Sequence, residues 1–158
     1  MPTPDFILRL REQVGHTRLW LSGATAVVVR DGEREPQVLL IRRADNGEWT
    51  PVAGIVDPGE HPQVTAVREV REEAGVSVEV ERLVWLTVTE VITYPNGDET
   101  QYIDHVFRCR WRSGEPFPAD GEASAAEFFP ASELPRMSSR HIEQVRVALA
   151  DEPETRLG

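Results

Sequence analysis

The sequence predicts an α/β fold, an α/β/α sandwich around a mixed sheet. Three observations predict it. Runs rich in β-branched and apolar residues recur at 24–30, 37–43, 78–93 and 101–111. A helical segment at about 61–74 follows the third, short strand, with a proline at its start and a glycine at its end. A second helical segment closes the chain. Strands and helices in that order pack as three layers.

Each element has a local reason. At the N-terminus, Thr3-Pro4 suits an N-cap and a first-turn proline, and Phe6, Ile7, Leu10 and Val14 then form a helical stripe ending near Gly15. Residues 24–30 and 37–43 read as strands joined by the polar turn 31–36. Trp49 to Asp57 is a short strand and loop. Within 61–74, Pro62 suits the first turn and Gly75 the C-cap, and Val64, Val67, Val70 and Ala74 form one apolar face. Residues 78–93 suit one long strand, and Pro95-Asn96-Gly97-Asp98 a hairpin turn with Asn-Gly as its signal. Residues 101–111 alternate as the return strand. A Gly-, Pro- and acid-rich loop at 113–123 precedes a last strand at Ala126 to Phe129. A helix starting near Ser138 or Ser139 carries Ile142, Val145 and Leu149, and the tail from Asp151 is expected to fray. The whole chain, 1–158, reads as one domain: an N-terminal helix at about 4–15 and a core at about 20–150.

Composition narrows the function classes. Hydrophobic content of 40% and charged content of 28% are those of an ordinary globular protein. The chain has no apolar run long enough for a membrane helix and no signal-peptide pattern, and its lone Cys109 has no internal partner. These features point to the cytoplasm, with Cys109 a buried structural residue. The net charge of −10 argues against binding nucleic acid or an anionic membrane. It also repels nucleotides, so an anionic substrate needs cations and local arginines. All 17 basic residues are arginine, a bias expected of a G+C-rich genome.

The chemistry concentrates between Gly54 and Val76. Gly54 is followed by five residues, Glu60, seven residues, then Arg68-Glu69-Val70-Arg71-Glu72-Glu73-Ala74-Gly75-Val76. At 100° per residue, Glu69, Glu72 and Glu73 are expected roughly opposite the apolar face. Like charges at i,i+3 and i,i+4 cost a helix about 0.2–0.5 kcal/mol each, so a clustered carboxylate face is unfavourable until a cation fills it. Hard oxygen ligands select Mg²⁺ or Mn²⁺. The alternative is a solvated acidic face with an Arg68–Glu72 surface pair.

That spacing, G-x5-E-x7-R-E-U-x-E-E-x-G-U with U aliphatic, resembles the signature of the Nudix hydrolases, and every fixed position is filled. The resemblance covers about residues 20–150 and implies a Nudix-type sandwich. It implies hydrolysis of a nucleoside diphosphate linked to another group, with metal-activated water attacking phosphorus. By motif position, Glu69, Glu72 and Glu73 hold the metal. Glu60 is a secondary partner, Arg68 orients a box glutamate, and the carbonyl of Ala53 ligates metal. One departure is visible: the chain reads Pro51-Val52-Ala53-Gly54 where many members read Pro-Gly-Gly, so the loop geometry is open to difference. The catalytic base varies across the family, and here Glu122, before the last strand, competes with Glu69.

Other candidates are weighed against plainer roles. Arg42 or Arg43 binds phosphate, or both are exposed strand residues. Trp49 and Tyr94 stack on a base or sugar, or serve the core and a turn. The histidines at 16, 61, 105 and 141 match no metal spacing. A nucleotide-sensing module without activity is the alternative function, yet such modules lose box glutamates and none is lost here. An isoprenoid isomerase needs a different cysteine context. Substrate markers past the box, a proline for ADP-ribose or a tyrosine for dinucleoside polyphosphates, fit neither Pro95 nor Tyr94 well, with a lean to the second. The expected partner is a small nucleotide. The apolar stripe on the N-terminal helix suggests a homodimer.

Overall fold

The computed structural model describes residues 3–158. In chain order the elements are α1 (Asp5–Val14), β1 (Leu19–Arg30), β2 (Gln37–Arg43), β3 (Trp49–Thr50), β4 (Val52–Ile55) and α2 (Pro62–Ala74). There follow β5 (Ser77–Val88), β6 (Ile92–Thr93), β7 (Glu99–Ser113), β8 (Ala123–Pro130), α3 (Ser139–Ala150) and β9 (Arg156–Leu157).

The strands form one mixed sheet in the order β3-β2-β1-β7-β5-β9, with β4 beside β1, β6 beside β7 and β8 beside β2. β1 and β7 run parallel from Leu19↔Thr100 to Val29↔Arg110. β1 is covered on both sides, so it carries an unbroken buried run from Gly23 to Val29 rather than an alternating one. Ala24, Ala26 and Val28 pack towards Ala66, Val70 and Ala74 of α2. Val27 and Val29 pack in the opposite layer with Val145 and Ala148 of α3. Helix, sheet and helix thus make the three layers.

Four expectations need correction. The run 78–93 breaks: β5 ends at Val88 and β6 is a separate piece. The Thr89 hydroxyl accepts from the Tyr102 N–H at 3.1 Å, so a side chain replaces one rung of the ladder there. The tail does not fray. β9 pairs parallel with β5, the Trp85 indole donates to the Gly158 carbonyl at 2.9 Å, and the Arg156 guanidinium lies 4.5 Å from the Trp85 ring. At the other end, Pro4 takes the N-cap position of α1 without any side-chain cap. Ile7 of α1 is buried, whereas Leu10 and Val14 are 40% and 41% exposed, so the stripe is only partly covered.

The fourth correction concerns α2. Val64 is 50% exposed, and the buried face is Thr65, Ala66, Glu69, Val70, Glu73 and Ala74. Glu69 and Glu73 therefore share the inner face with Val70 and Ala74, and only Glu72 points outward. The cause is β4. A Cβ on Gly54 would lie 2.2 Å from the Glu69 carboxylate, so the bare glycine lets the β4 backbone press against the acidic side of the helix.

Candidate active site

Arg68 organises the acidic end of α2. Its Nε and Nη2 donate to the two oxygens of Glu60, each at 2.9 Å, a bidentate grip. Its Nη1 donates to Glu69 at 3.0 Å and to Glu72 at 3.3–3.4 Å. Thr65 also donates to Glu60 at 2.7 Å. These bonds, Arg68 foremost, hold the Glu60 carboxyl down to about 2. Arg68 thus binds Glu60, Glu69 and Glu72, and both oxygens of Glu60 are committed to it.

Glu69 and Glu73 are in the reverse situation. Burial first, then the negative charge of Glu73, pushes the Glu69 carboxyl up to about 8 against the pull of Arg68. Burial first, then the charge of Asp120, pushes Glu73 up to about 7. Each keeps one oxygen, Oε2, with no hydrogen-bond partner. Two buried carboxylates with orphaned oxygens fit a divalent cation, which supplies both the missing contact and the missing charge. Among the described residues, no three acidic, histidine or cysteine side chains converge into a closed cage.

Of the pair, Glu73 lines a cleft of about 870 Å³, while Glu69 lies fully buried one turn behind it. Ala53 and Gly54 of β4 form its wall beside Glu73. The 114–122 loop closes one side. Its Phe117 and Ala119 N–H groups donate to the carbonyls of Ala74 and Glu73 at 3.1 and 3.2 Å. The loop brings both Asp120 and Glu122 to the cleft. The Glu122 N–H donates to Asp120 Oδ1 at 3.0 Å, and its carbonyl accepts from Ala44 at 3.1 Å. Asp120 was not singled out from sequence, yet after burial its charge does most to raise Glu73. The tight Asp120-Gly121-Glu122 turn was the only available signal.

The remaining candidates divide. Arg43 lines the cleft and pairs with Asp45 at 2.6 Å, while neighbouring Arg42 is not among the lining residues and donates instead to the Gly47 carbonyl at 3.2 Å. The pairing of β2 with β8 shifts register between these two residues. Trp49 meets Phe129 edge-on at 4.9 Å in the α3-side core and does not line the cleft. Tyr94 does line it, with its hydroxyl 3.2 Å from that of Tyr102.

Two parts of the cleft escaped the sequence reading. Ile7 and Arg11 of α1 form an outer wall, Arg11 donating to the carbonyls of Gly15, Thr17 and Glu99. Arg140, His141 and Gln144 of α3 form the far wall. Burial, then the nearby Arg140 charge, holds the His141 imidazole down to about 4, so it is neutral. No spacing links these residues to the box; only the folded sheet does.

Known proteins are similar to this chain in sequence and fold. The NUDIX domain family model matches residues 20–148. A MutT-like protein of Streptomyces ambofaciens is 35% identical over 127 residues, 79% of this chain and 71% of that protein. An ADP-ribose pyrophosphatase of Methanocaldococcus jannaschii is 31% identical over 129 residues, 78% of this chain and 72% of that protein. The crystal structure of an ADP-ribose pyrophosphatase from Streptococcus suis superposes with a TM-score of 0.65 at 26% identity, over 87% of this chain and 98% of that one. A UDP-X diphosphatase shares the fold, with a TM-score of 0.68 at 21% identity, over 97% of this chain and 73% of that one.

Proposed function

We propose, for a chain that belongs to the NUDIX domain family and is a Nudix hydrolase, that it cleaves the pyrophosphate bond of a nucleoside diphosphate linked to a second group. The products are a nucleoside monophosphate and the phosphorylated second group. The observation that carries this reading is the buried Glu69–Glu73 pair, each with an unpartnered oxygen, with Glu73 lining a nucleotide-sized cleft.

Glu69, Glu72 and Glu73 would hold Mg²⁺ or Mn²⁺, with the Ala53 carbonyl and, after release from Arg68, Glu60 as further donors. An ion held there would supply a lowered water pKa and neutralise charge developing on the phosphates. The chain's own residues do the rest. Arg68 fixes Glu69 in its rotamer. Arg43, once turned from Asp45, faces phosphate oxygens across the cleft. Glu122, carried on the loop that caps α2, takes the proton of the attacking water, with Glu69 as the competing base. Tyr94 offers a surface for sugar or base.

We also read the cytoplasm as its location and a small nucleotide, rather than nucleic acid or a membrane, as its partner. No helix among the described residues is long and apolar enough to cross a membrane. The relatives named ADP-ribose pyrophosphatase favour ADP-ribose as the first substrate to try. A panel of nucleotide diphosphate derivatives and triphosphates, assayed with Mg²⁺ and with excess chelator, tests the reading. Release of a nucleoside monophosphate only when metal is present is expected. No turnover of any nucleotide with Mg²⁺ overturns it.

A further inference from the structure

On the α3 side of the sheet, polar side chains meet in the cleft away from the carboxylate pair. Thr25 of β1, Asp104 of β7 and Gln144 of α3 are 2%, 3% and 1% exposed, and Arg140 lies one turn before Gln144. All four line the cleft. Asp104 Oδ1 accepts from the Thr25 hydroxyl at 2.9 Å. Asp104 Oδ2 accepts from Gln144 Nε2 at 2.9 Å and from Arg140 Nη2 at 3.3 Å.

This network decides which way the Gln144 amide faces. A carboxylate accepts and does not donate, so the amide nitrogen must lie against Asp104 and the carbonyl oxygen away from it. The Thr25 hydroxyl, having donated to Asp104, can only accept from that same nitrogen, at 3.4 Å. Gln144 Oε1 is left buried with no hydrogen-bond partner. Buried acceptors of this kind are rare in folded proteins and call for an explanation, a ligand donor among them.

We propose that Gln144 Oε1 reads an exocyclic amino group on the nucleobase, and that Asp104 is the residue that positions it. The proposal rests on the nucleotide reading of the site and deepens it. An amino group next to a ring nitrogen presents a donor beside an acceptor, as in adenine and cytosine. Gln144 offers the matching acceptor, and Arg140 offers guanidinium N–H groups beside it. Hypoxanthine and uracil carry an oxo group in the same place, so lone pairs would face the lone pairs of the buried Oε1. Because Asp104 holds the nitrogen, the amide cannot rotate to accommodate them.

Titration of AMP against IMP and of CMP against UMP into the metal-free protein, followed by calorimetry, tests this. Hydrolysis of the matching diphosphate derivatives is measured alongside with Mg²⁺. Wild type is expected to prefer the amino member by about tenfold or more, for whichever base size it accepts. In Gln144→Met the preference should fall to about parity, with Asp104→Asn falling between. Equal binding of amino and oxo members by the wild type overturns the proposal and needs no variant to fold. So does a preference that persists in Gln144→Met. Hydrolysis without discrimination fails this inference alone, whereas a protein that neither binds nor cleaves any nucleotide fails the nucleotide reading itself.

Discussion

Glu69 and Glu73 stand one helical turn apart on the inner face of α2, both buried, each with one carboxylate oxygen unpartnered. The arrangement costs stability when both are ionised and no cation is present. Gly54 makes it sterically possible, and Arg68 offsets part of the charge on one member only.

The pair sets a pH dependence. Both carboxyls bind protons more tightly folded than unfolded, with values raised from 4.5 to about 8 and about 7. Metal-free stability should therefore be highest near the unfolded value and drain away as pH rises through about 7 to 8. Thermal unfolding in chelator should show a melting temperature several degrees lower at about pH 8.5 than at about pH 5.5. Saturating Mg²⁺ should flatten the slope, and Glu69→Gln should flatten it without metal. A metal-free melting temperature that climbs over this window contradicts the burial argument.

Arg68→Ala removes the partner of Glu60, Glu69 and Glu72 together. The group is partly buried, so the cost should lie between surface and buried limits, about 2–3 kcal/mol by urea unfolding. The Glu60 titration should move up from about 2 towards the ordinary carboxylate range. Arg68→Lys, which loses the fork, should recover only part of the loss. An unfolding midpoint unchanged in Arg68→Ala would show the hub to be ornamental.

The base assignment separates two loop acids. Glu122→Gln should lower kcat at saturating metal while sparing nucleotide binding, and should remove the acidic limb of the pH–rate profile. Asp120→Asn should instead shift the Glu73 titration downward, since it removes a like charge. Wild-type kcat and profile in Glu122→Gln would move the base role to Glu69.

Assembly is tested through α1. Leu8, Leu10, Val14 and Trp20 are exposed on or just after this helix, which supports a homodimer with α1 or Leu19-Trp20-Leu21 at the interface. Light scattering on the full chain should give a dimer mass, and a chain starting at Arg18 a monomer. A monomer mass for the full chain at tens of micromolar refutes the dimer. A dimer that outlasts the truncation refutes the role of the helix.

The local signals were legible where one residue type decides the structure. Pro62 and Gly75 bracket α2, Asn96-Gly97 turns the hairpin, and Ser138 caps α3 through the His141 N–H. β2 runs over 37–43, as its β-branched and apolar run bounded by polar residues predicts. Legibility failed where tertiary contact overrides the local pattern. Val64 and Val67 look more apolar than Glu69 and Glu73, but β4 and Gly54 select the acidic side of α2 for burial. The tail looks polar enough to fray, yet Trp85 and the open edge of β5 capture it. Asp104 and Gln144 are 40 positions apart and meet only through the packing of α3 on β7, which no spacing along the chain encodes.

The central claim is that Glu69 and Glu73 seat the divalent ion that drives hydrolysis, and one paired measurement tests it most directly. Mn²⁺ affinity and kcat on the best substrate of the panel are compared between wild type and Glu73→Gln. The account predicts weaker Mn²⁺ binding together with a kcat loss of at least about 100-fold, in a variant whose metal-free melting temperature is unchanged or higher. Full activity in excess chelator, or a Glu73→Gln variant with wild-type Mn²⁺ affinity and kcat, contradicts it.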